Sequence, residues 1–464
     1  MPKEDARPSK RALEAMSSRS GPVKKTGRSR ASSHRGEGHP ASARLLYDRV
    51  TDLPTLPLFL GRIQRALNKR STLGLMTISI IQNDRIEQIF GWEAFDALIR
   101  DLAGFLVAIK PEALREEDVI SEVMISGNAF VILLVPPRDR QGISYGAMEK
   151  IRRRIQLRLS KFLSGRVPPV LAERLGFYVG CATLEANRFQ RAERLVYQAL
   201  DAAFADSLLQ KKRRARMETR KLREVLRSKL IYAVYQPVVD LVRRQVLGYE
   251  ALSRIEGGHF ENPDHLFRVA HENEVVWDLE RICREKALQG ALGIGRDQLL
   301  FLNIEPESIH DPELRSEESA KLLRAAGLTP DRVVLELTEH SAVQDFALFR
   351  QTLRLFQSIG FRLAIDDVGS AYSGLRSIAE LRPDFMKIDM SLTRGIHVDV
   401  IKRELLGTIF KFSRSTGIGL VIEGVEDARH LSALREIGVG YAQGFLLARP
   451  ALPFPSVDFE RLAL

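Results

Sequence analysis

Along the C-terminal half of the chain, short apolar runs recur, and each stops on a polar residue able to bind a metal or move a proton. Residues 246–249 run into Glu250, 299–302 into Asn303, 332–335 into Glu336 and 384–386 into Lys387. Residues 419–422 run into Glu423, and 439–442 into Gln443. The clearest case is FRLAIDDVGS at 361–370, where the run exits into two adjacent carboxylates, Asp366 and Asp367, and then a glycine. An apolar run followed by turn chemistry predicts a buried strand leaving the core. Helix-length amphipathic segments, such as 346–359 and 400–415, lie between most of these strands. Strand alternating with helix over this length predicts a parallel sheet closed into a TIM-like (β/α)8 barrel. In such barrels the chemistry sits at the carboxyl ends of the strands. One polar group per strand end is the pattern of a single shared site, whereas any one alone reads as a cap or surface acid.

Residues 45–206 predict a separate mixed α/β unit. Its helices are expected at 58–67, 94–109, 146–164 and 190–206, and its strands at 74–81, 119–125, 129–135 and 177–183. Ser126-Gly127-Asn128, between the second and third strands, is a hairpin signal. Residues 207–230 lack Gly and Pro and carry a thin apolar stripe of Leu208, Leu209, Met217, Leu222, Val225 and Leu226. That pattern predicts a charged helix joining the two domains, which could relay motion, form a dimer seam or act as a spacer. Residues 1–44 are rich in Ser, Arg, Lys, Gly and Pro and free of aromatics, the composition of a disordered tail. The second domain is expected over 231–464.

The charge balance modifies this picture only locally. The net charge is +11. Residues 1–44 hold eleven Lys/Arg against four Asp/Glu, and 206–230 hold ten against three, so the remainder is slightly acidic. Basicity confined to a tail and a connector reads as solvated surface, and nucleic-acid binding is not expected. No apolar run approaches the roughly 18 residues of a membrane span, and the opening MPKEDARPSKR lacks the apolar core of a secretion signal. Cys181 and Cys283 read as structural thiols of a reducing compartment, so a cytoplasmic location is expected.

From Tyr235 onward the motifs resemble one family. Tyr235-Gln236-Pro237-Val238 and Tyr249-Glu250-Ala251-Leu252-Ser253-Arg254 are similar to the opening of the EAL domain, which hydrolyses the bacterial second messenger cyclic di-GMP to linear pGpG. The similarity continues through Asn303-Ile304-Glu305-Pro306, Glu336-Leu337-Thr338-Glu339 and Ile365-Asp366-Asp367-Val368-Gly369. It runs on through Met386-Lys387-Ile388-Asp389, Glu423-Gly424-Val425-Glu426 and Gln443-Gly444-Phe445. The resemblance implies two Mg²⁺ or Mn²⁺ ions, with Glu250, Asn303, Glu336 and Asp366 on the first, Asp366 bridging, and Asp367 on the second. Oxygen donors are what these hard cations prefer. It further implies Glu423 as ligand or general base, Lys387 as a charge near the attacking water or a phosphate, and Gln443 as an orienting group. Gln236, Leu252 and Arg254 would contact substrate, and Glu339 would steady the loop after Asp367. A homodimer through this domain and the linker helix is expected.

The first domain resembles the GGDEF domain, the cyclase module that makes cyclic di-GMP, with its ferredoxin-like core. Its signature hairpin reads Ser126-Gly127-Asn128-Ala129-Phe130, so the acidic pair is replaced by Asn128 and Ala129. The family's metal-binding Asp falls near Ser79, and its substrate-binding Asn near Glu87. Neutral Ser79, Asn128 and Ala129 cannot hold Mg²⁺ for phosphoryl transfer, so no cyclase activity is expected. A structural or dimerising role is favoured over GTP sensing. Arg115-Glu116-Glu117-Asp118 has the form of the family's RxxD inhibitory site, at a longer spacing from the hairpin.

The sequence strays from the EAL pattern after the paired acids. Val368 stands where the family has a large aromatic, and Ala371 where it has a glycine, so a packing anchor shrinks and a positive φ becomes costly. Three functional readings follow. The first is a metal-dependent cyclic di-GMP phosphodiesterase with an inactive, regulatory first domain. The second is a receptor that holds cyclic di-GMP without turnover and signals through the linker helix. The third is a scaffold whose basic segments bind a partner or nucleic acid. Intact Glu250, Lys387 and Glu423 favour the first.

Overall fold

The computed structural model describes residues 46–82, 91–123, 129–166, 175–338, 346–368, 378 and 380–462. The expectations placed on the tail 1–44, on Glu87, Asn128 and Glu339, and on the loop 369–374 lie outside these residues. The chain divides into two compact units, one ending at Arg216 and the other beginning at Met217. Among the described residues no helix is long and apolar enough to cross a membrane.

In the first unit, helix α1 (Leu60–Leu67) precedes strand β1 (Thr72–Gln82), helix α2 (Trp92–Ala113), the pair β2 (Val119–Glu122) and β3 (Ala129–Leu134), helix α3 (Tyr145–Arg166) and strand β4 (Leu175–Glu185). The sheet order is β2-β3-β1-β4, and every pairing is antiparallel. Both faces are covered. Met76, Ile78 and Ile80 of β1 pack with Leu98, Leu102 and Ile155, while Leu73 and Leu75 pack with Ile63, Val196 and Leu200. Alternating residues with an apolar layer on either side explain why the strand reads as one apolar run. Asp118 is a turn acid: its Oδ2 accepts the Arg115 N–H at 2.8 Å and its Oδ1 the Val135 N–H at 2.9 Å. Helix α4 (Ala192–Ser228) continues past residue 206 without a break. Asp206, within it, pairs with Arg152 at 3.0 Å and accepts the Cys181 N–H at 2.9 Å.

The second unit is a closed eight-stranded barrel in the order β10-β11-β12-β5-β6-β7-β8-β9. Its strands are β5 (Ile231–Asp240), β6 (Gln245–Ile255), β7 (Leu299–Asn303), β8 (Val333–Thr338), β9 (Arg362–Val368), β10 (Phe385–Ile388), β11 (Gly419–Ile422) and β12 (Tyr441–Ala442). Helices α5 (Pro263–Glu272), α6 (Val276–Gly290), α7 (Glu317–Ala325), α8 (Phe346–Ile359), α9 (Val400–Thr416) and α10 (Ala428–Ile437) lie between or beside them. The barrel is TIM-like but not wholly parallel: β5 runs antiparallel to both β6 and β12. The reason is local. Asp240 Oδ1 accepts the N–H groups of Val242 and Arg243 at 2.9 and 2.8 Å, folding a turn too short for the crossover a parallel neighbour needs. The last turns of α4 belong to this unit, where Leu222 and Val225 are buried among Phe260, Leu266 and Leu279.

A layer of Val238, Leu299, Phe301, Val334, Ala364, Phe385 and Val421 forms one cluster inside the ring. Side chains two residues apart share a face of a strand. The next inward positions toward the strand ends are therefore Gln236, Asn303, Glu336, Asp366, Lys387 and Glu423, with Glu250 on β6 (opposite Gln236) and Gln443 past Tyr441. The apolar plug thus places the polar groups above it.

Candidate active site

Lys387 is the hub of the barrel mouth. Its side chain is fully buried, and Nζ lies 3.2 Å from Glu250 Oε2, 2.9 Å from Glu336 Oε1, 3.7 Å from Asp366 Oδ1 and 2.7 Å from Glu423 Oε1. Around this ammonium run neutral amides. Asn303 Nδ2 donates to Glu250 Oε1 at 2.9 Å, and Gln443 Nε2 donates to Glu250 Oε2 at 2.6 Å and to Gln236 Oε1 at 3.1 Å. Gln236 Nε2 in turn donates to the Ala448 carbonyl at 3.1 Å. Backbone bonds hold the strand exits together: Glu423 N–H to Ile388 O at 3.1 Å and Gln443 N–H to Ile422 O at 2.8 Å. After Glu423 the chain turns at Gly424, with φ of 64°, and a Cβ there would lie 2.4 Å from Met390 Cβ, so only glycine fits.

Adjacent strand residues face opposite sides, so Asp366 and Asp367 cannot both enter the mouth from regular strand. Asp367 breaks the alternation with φ of +58°, a conformation that Asp tolerates better than most residues. Its N–H donates to Asp366 Oδ1 at 2.9 Å. As a result Asp366, Asp367 and Glu423 each bring a carboxylate oxygen within 4.8 Å of the others.

Four carboxylates and one ammonium in a buried space leave negative charge that is not locally compensated. Burial pushes Glu336 well above its usual range against the pull of Lys387, with Glu250 and Asp366 adding to the rise. Burial also raises Asp366 despite Lys387, and raises Glu423 to about 8. Burial would raise Glu250 too, but Lys387, Asn303 and Gln443 overcome it and hold that carboxyl low. For Lys387, burial favours losing the proton, yet Asp366, Glu250, Glu336 and Glu423 keep its pKa well above the ordinary lysine value. These groups titrate as one set. Among the described residues Glu336 Oε1 meets only the Lys387 ammonium, and Glu336 Oε2 and Gln443 Oε1, both buried, have no hydrogen-bond donor. Oxygen atoms left without donors, in a cluster short of positive charge, fit a hard divalent cation.

Of the residues singled out from sequence, Glu250, Asn303, Glu336, Asp366, Asp367, Lys387, Glu423, Gln443 and Gln236 converge here. Leu252 and Arg254 lie further along β6, both half-buried, and Arg254 Nη1 donates to the neighbouring Ser253 carbonyl at 2.8 Å. The amide chain from Glu250 through Gln443 and Gln236 to Ala448 was not foreseen, because it depends on β5 and the segment after β12 meeting across the barrel seam. Glu280 was missed as well. It is an acid inside the apolar pattern of α6, and that misfit was its only signal.

Fold and centre together define a barrel protein whose acidic site stands at the strand ends. The chain belongs to the EAL domain family, whose model matches residues 219–450, half of the chain. It is 28% identical over 254 residues to the probable cyclic di-GMP phosphodiesterase PdeN of Escherichia coli, covering 52% of this chain and 47% of that protein. It is 25% identical over 441 residues to the cyclic di-GMP phosphodiesterase NbdA of Pseudomonas aeruginosa, covering 89% and 53%. A third relative, the bifunctional diguanylate cyclase/cyclic di-GMP phosphodiesterase MucR of the same organism, is 24% identical over 429 residues, covering 87% and 60%. The chain spans about half the length of these curated relatives.

Proposed function

We propose that the barrel hydrolyses cyclic di-GMP to linear pGpG with the help of Mg²⁺ or Mn²⁺. The observation that carries this reading is the ring of oxygen donors around Lys387, at the end of the barrel where such folds do chemistry. Glu250, Asn303, Glu336 and Asp366 would hold one ion, and Asp366 with Asp367 a second, with Glu423 beside them. A bound pair of cations lowers the pKa of water and offsets charge building on a phosphodiester. Glu423, within reach of Asp366 and Asp367 at the same mouth, would serve as base toward the attacking water. Lys387 keeps the carboxylates together and fixes their directions. Gln443 ties Glu250 to Gln236, and its carbonyl oxygen would orient the water or a ligand. Arg254 and Leu252, four and two residues past Glu250 on β6, would meet a phosphate and a base of the dinucleotide.

The first unit is a degenerate GGDEF domain with a regulatory or dimerising role. Its antiparallel sheet with helices on both faces supports this, and so does the MucR alignment, which extends well beyond the barrel. Ser79 on β1 offers a hydroxyl where a cyclase needs a carboxylate, and Asp118 spends both oxygens on backbone N–H groups. Chromatographic separation of nucleotide products, with and without divalent metal, tests the proposal. Metal-dependent pGpG supports it, and tight binding of cyclic di-GMP that persists intact would instead make the protein a receptor.

A further inference from the structure

Two consecutive backbone N–H groups follow Asn303, and both are tied down. The Ile304 N–H donates to the Glu336 carbonyl at 2.9 Å, and the Glu305 N–H to Glu280 Oε1 at 2.9 Å. Glu280 comes from α6 and is 3% exposed. Its neighbours on that helix, Leu279, Ile282 and Cys283, belong to the apolar core. Burying a carboxylate among them is unfavourable unless a specific partner requires it, and the Glu305 N–H is such a partner. Ser308 and Arg284 act on the same carboxylate. Arg284 also lies 3.7 Å from Asp311, whose two oxygens accept from Arg281 at 2.8 and 2.7 Å. Through Oε1 the acid holds the turn after Asn303, while its Oε2 makes no hydrogen bond among the described residues.

Asn303 needs such support. It is the last residue of β7 and is exposed at the mouth. Its Nδ2 is committed to Glu250, which leaves Oδ1 as its ligand atom. A small rotation of the backbone after Asn303 would swing that oxygen away.

We propose that Glu280 is a positioning residue, which sets the aim of Asn303 as a cation ligand by fixing the Glu305 backbone. This rests on the cation reading of the site. Residues that hold ligands in place are typically worth ten- to a hundredfold in metal affinity. Calorimetric titration of Mn²⁺ into the full chain, without substrate, is the test. Glu280→Met should weaken Mn²⁺ binding about tenfold or more, and cyclic di-GMP binding in chelator should stay at the wild-type level. Glu280→Gln keeps an acceptor oxygen and should bind Mn²⁺ like wild type. Glu280→Met added to Asn303→Ala should cause no further loss, since the two act through one ligand. Wild-type Mn²⁺ affinity in folded Glu280→Met, or additive losses in the double variant, would overturn the proposal. If Glu280→Met does not fold, the Gln variant decides, and a tenfold loss there overturns it as well. A wild-type protein that takes up no Mn²⁺ would overturn the reading of the site itself.

Discussion

Lys387 Nζ and Glu423 Oε1 stand 2.7 Å apart at the exits of neighbouring parallel strands, joined by the Glu423 N–H to Ile388 carbonyl bond. Removing the ammonium leaves Glu250, Glu336, Asp366 and Glu423 facing one another. Breaking a buried ion pair from one side usually costs about 3–5 kcal/mol. Lys387→Met should therefore lower the melting temperature sharply in chelator. Excess Mg²⁺ should restore part of the loss, by about 3 kcal/mol at a hundredfold over Kd. A melt unchanged by the substitution would contradict the hub role.

Asp367 holds φ of +58° so that its carboxylate can join Asp366. A left-handed residue with a Cβ costs about 1–2 kcal/mol, less for Asp. Asp367→Gly should leave stability in chelator equal or higher by up to about 1 kcal/mol, and should abolish turnover. Thermal melts paired with product chromatography check both halves. Retained turnover would remove Asp367 from the second cation position.

Calcium should inhibit turnover supported by Mg²⁺. Its longer, looser coordination suits closely spaced shared carboxylates poorly. Rates measured with rising Ca²⁺ at fixed Mg²⁺ should fall. Undiminished rates would count against a paired-ion site.

In the first unit, burial raises Glu122 to about 7, partly opposed by the Thr51 hydroxyl that donates to it at 2.6 Å. The folded state thus keeps a proton that the unfolded chain releases near its ordinary value of 4.5. The folded state binds more protons between those values, so stability falls as pH rises from about 4.5 through about 7. Hydrogen exchange of peptides spanning β1 to β3 should quicken from pH 5 to 8 after correction for intrinsic rates. Glu122→Gln should flatten that trend.

Much of the barrel site was legible because of a period of two. Glu250, Asn303, Glu336, Asp366, Lys387 and Glu423 each follow an apolar run within or at the end of a strand, and strand geometry sends them to the same face as the core beneath. The direction of β5 was not legible, because it depends on how Asp240 folds its turn. Nor was the hub position of Lys387: a lysine after an apolar run does not announce four acids around it. The continuity of α4 was half visible. Residues 190–206 and 207–230 both read as helix, but nothing in the periodicity said that one helix spans them. The left-handed turn that brings Asp367 into the mouth, and the role of Glu280, were opaque for the same reason. Each acts through a backbone relationship, one a left-handed turn and the other an accepted N–H, and sequence patterns record side chains.

The central claim is that these oxygens converge to cage a pair of divalent ions. Anomalous scattering from crystals grown with Mn²⁺ and cyclic di-GMP addresses it most directly. Two peaks about 3.5–4 Å apart are expected, one among Glu250, Asn303, Glu336 and Asp366 and the other against Asp366 and Asp367. A map with no peak at the barrel mouth, at Mn²⁺ concentrations that saturate binding in solution, would contradict the account.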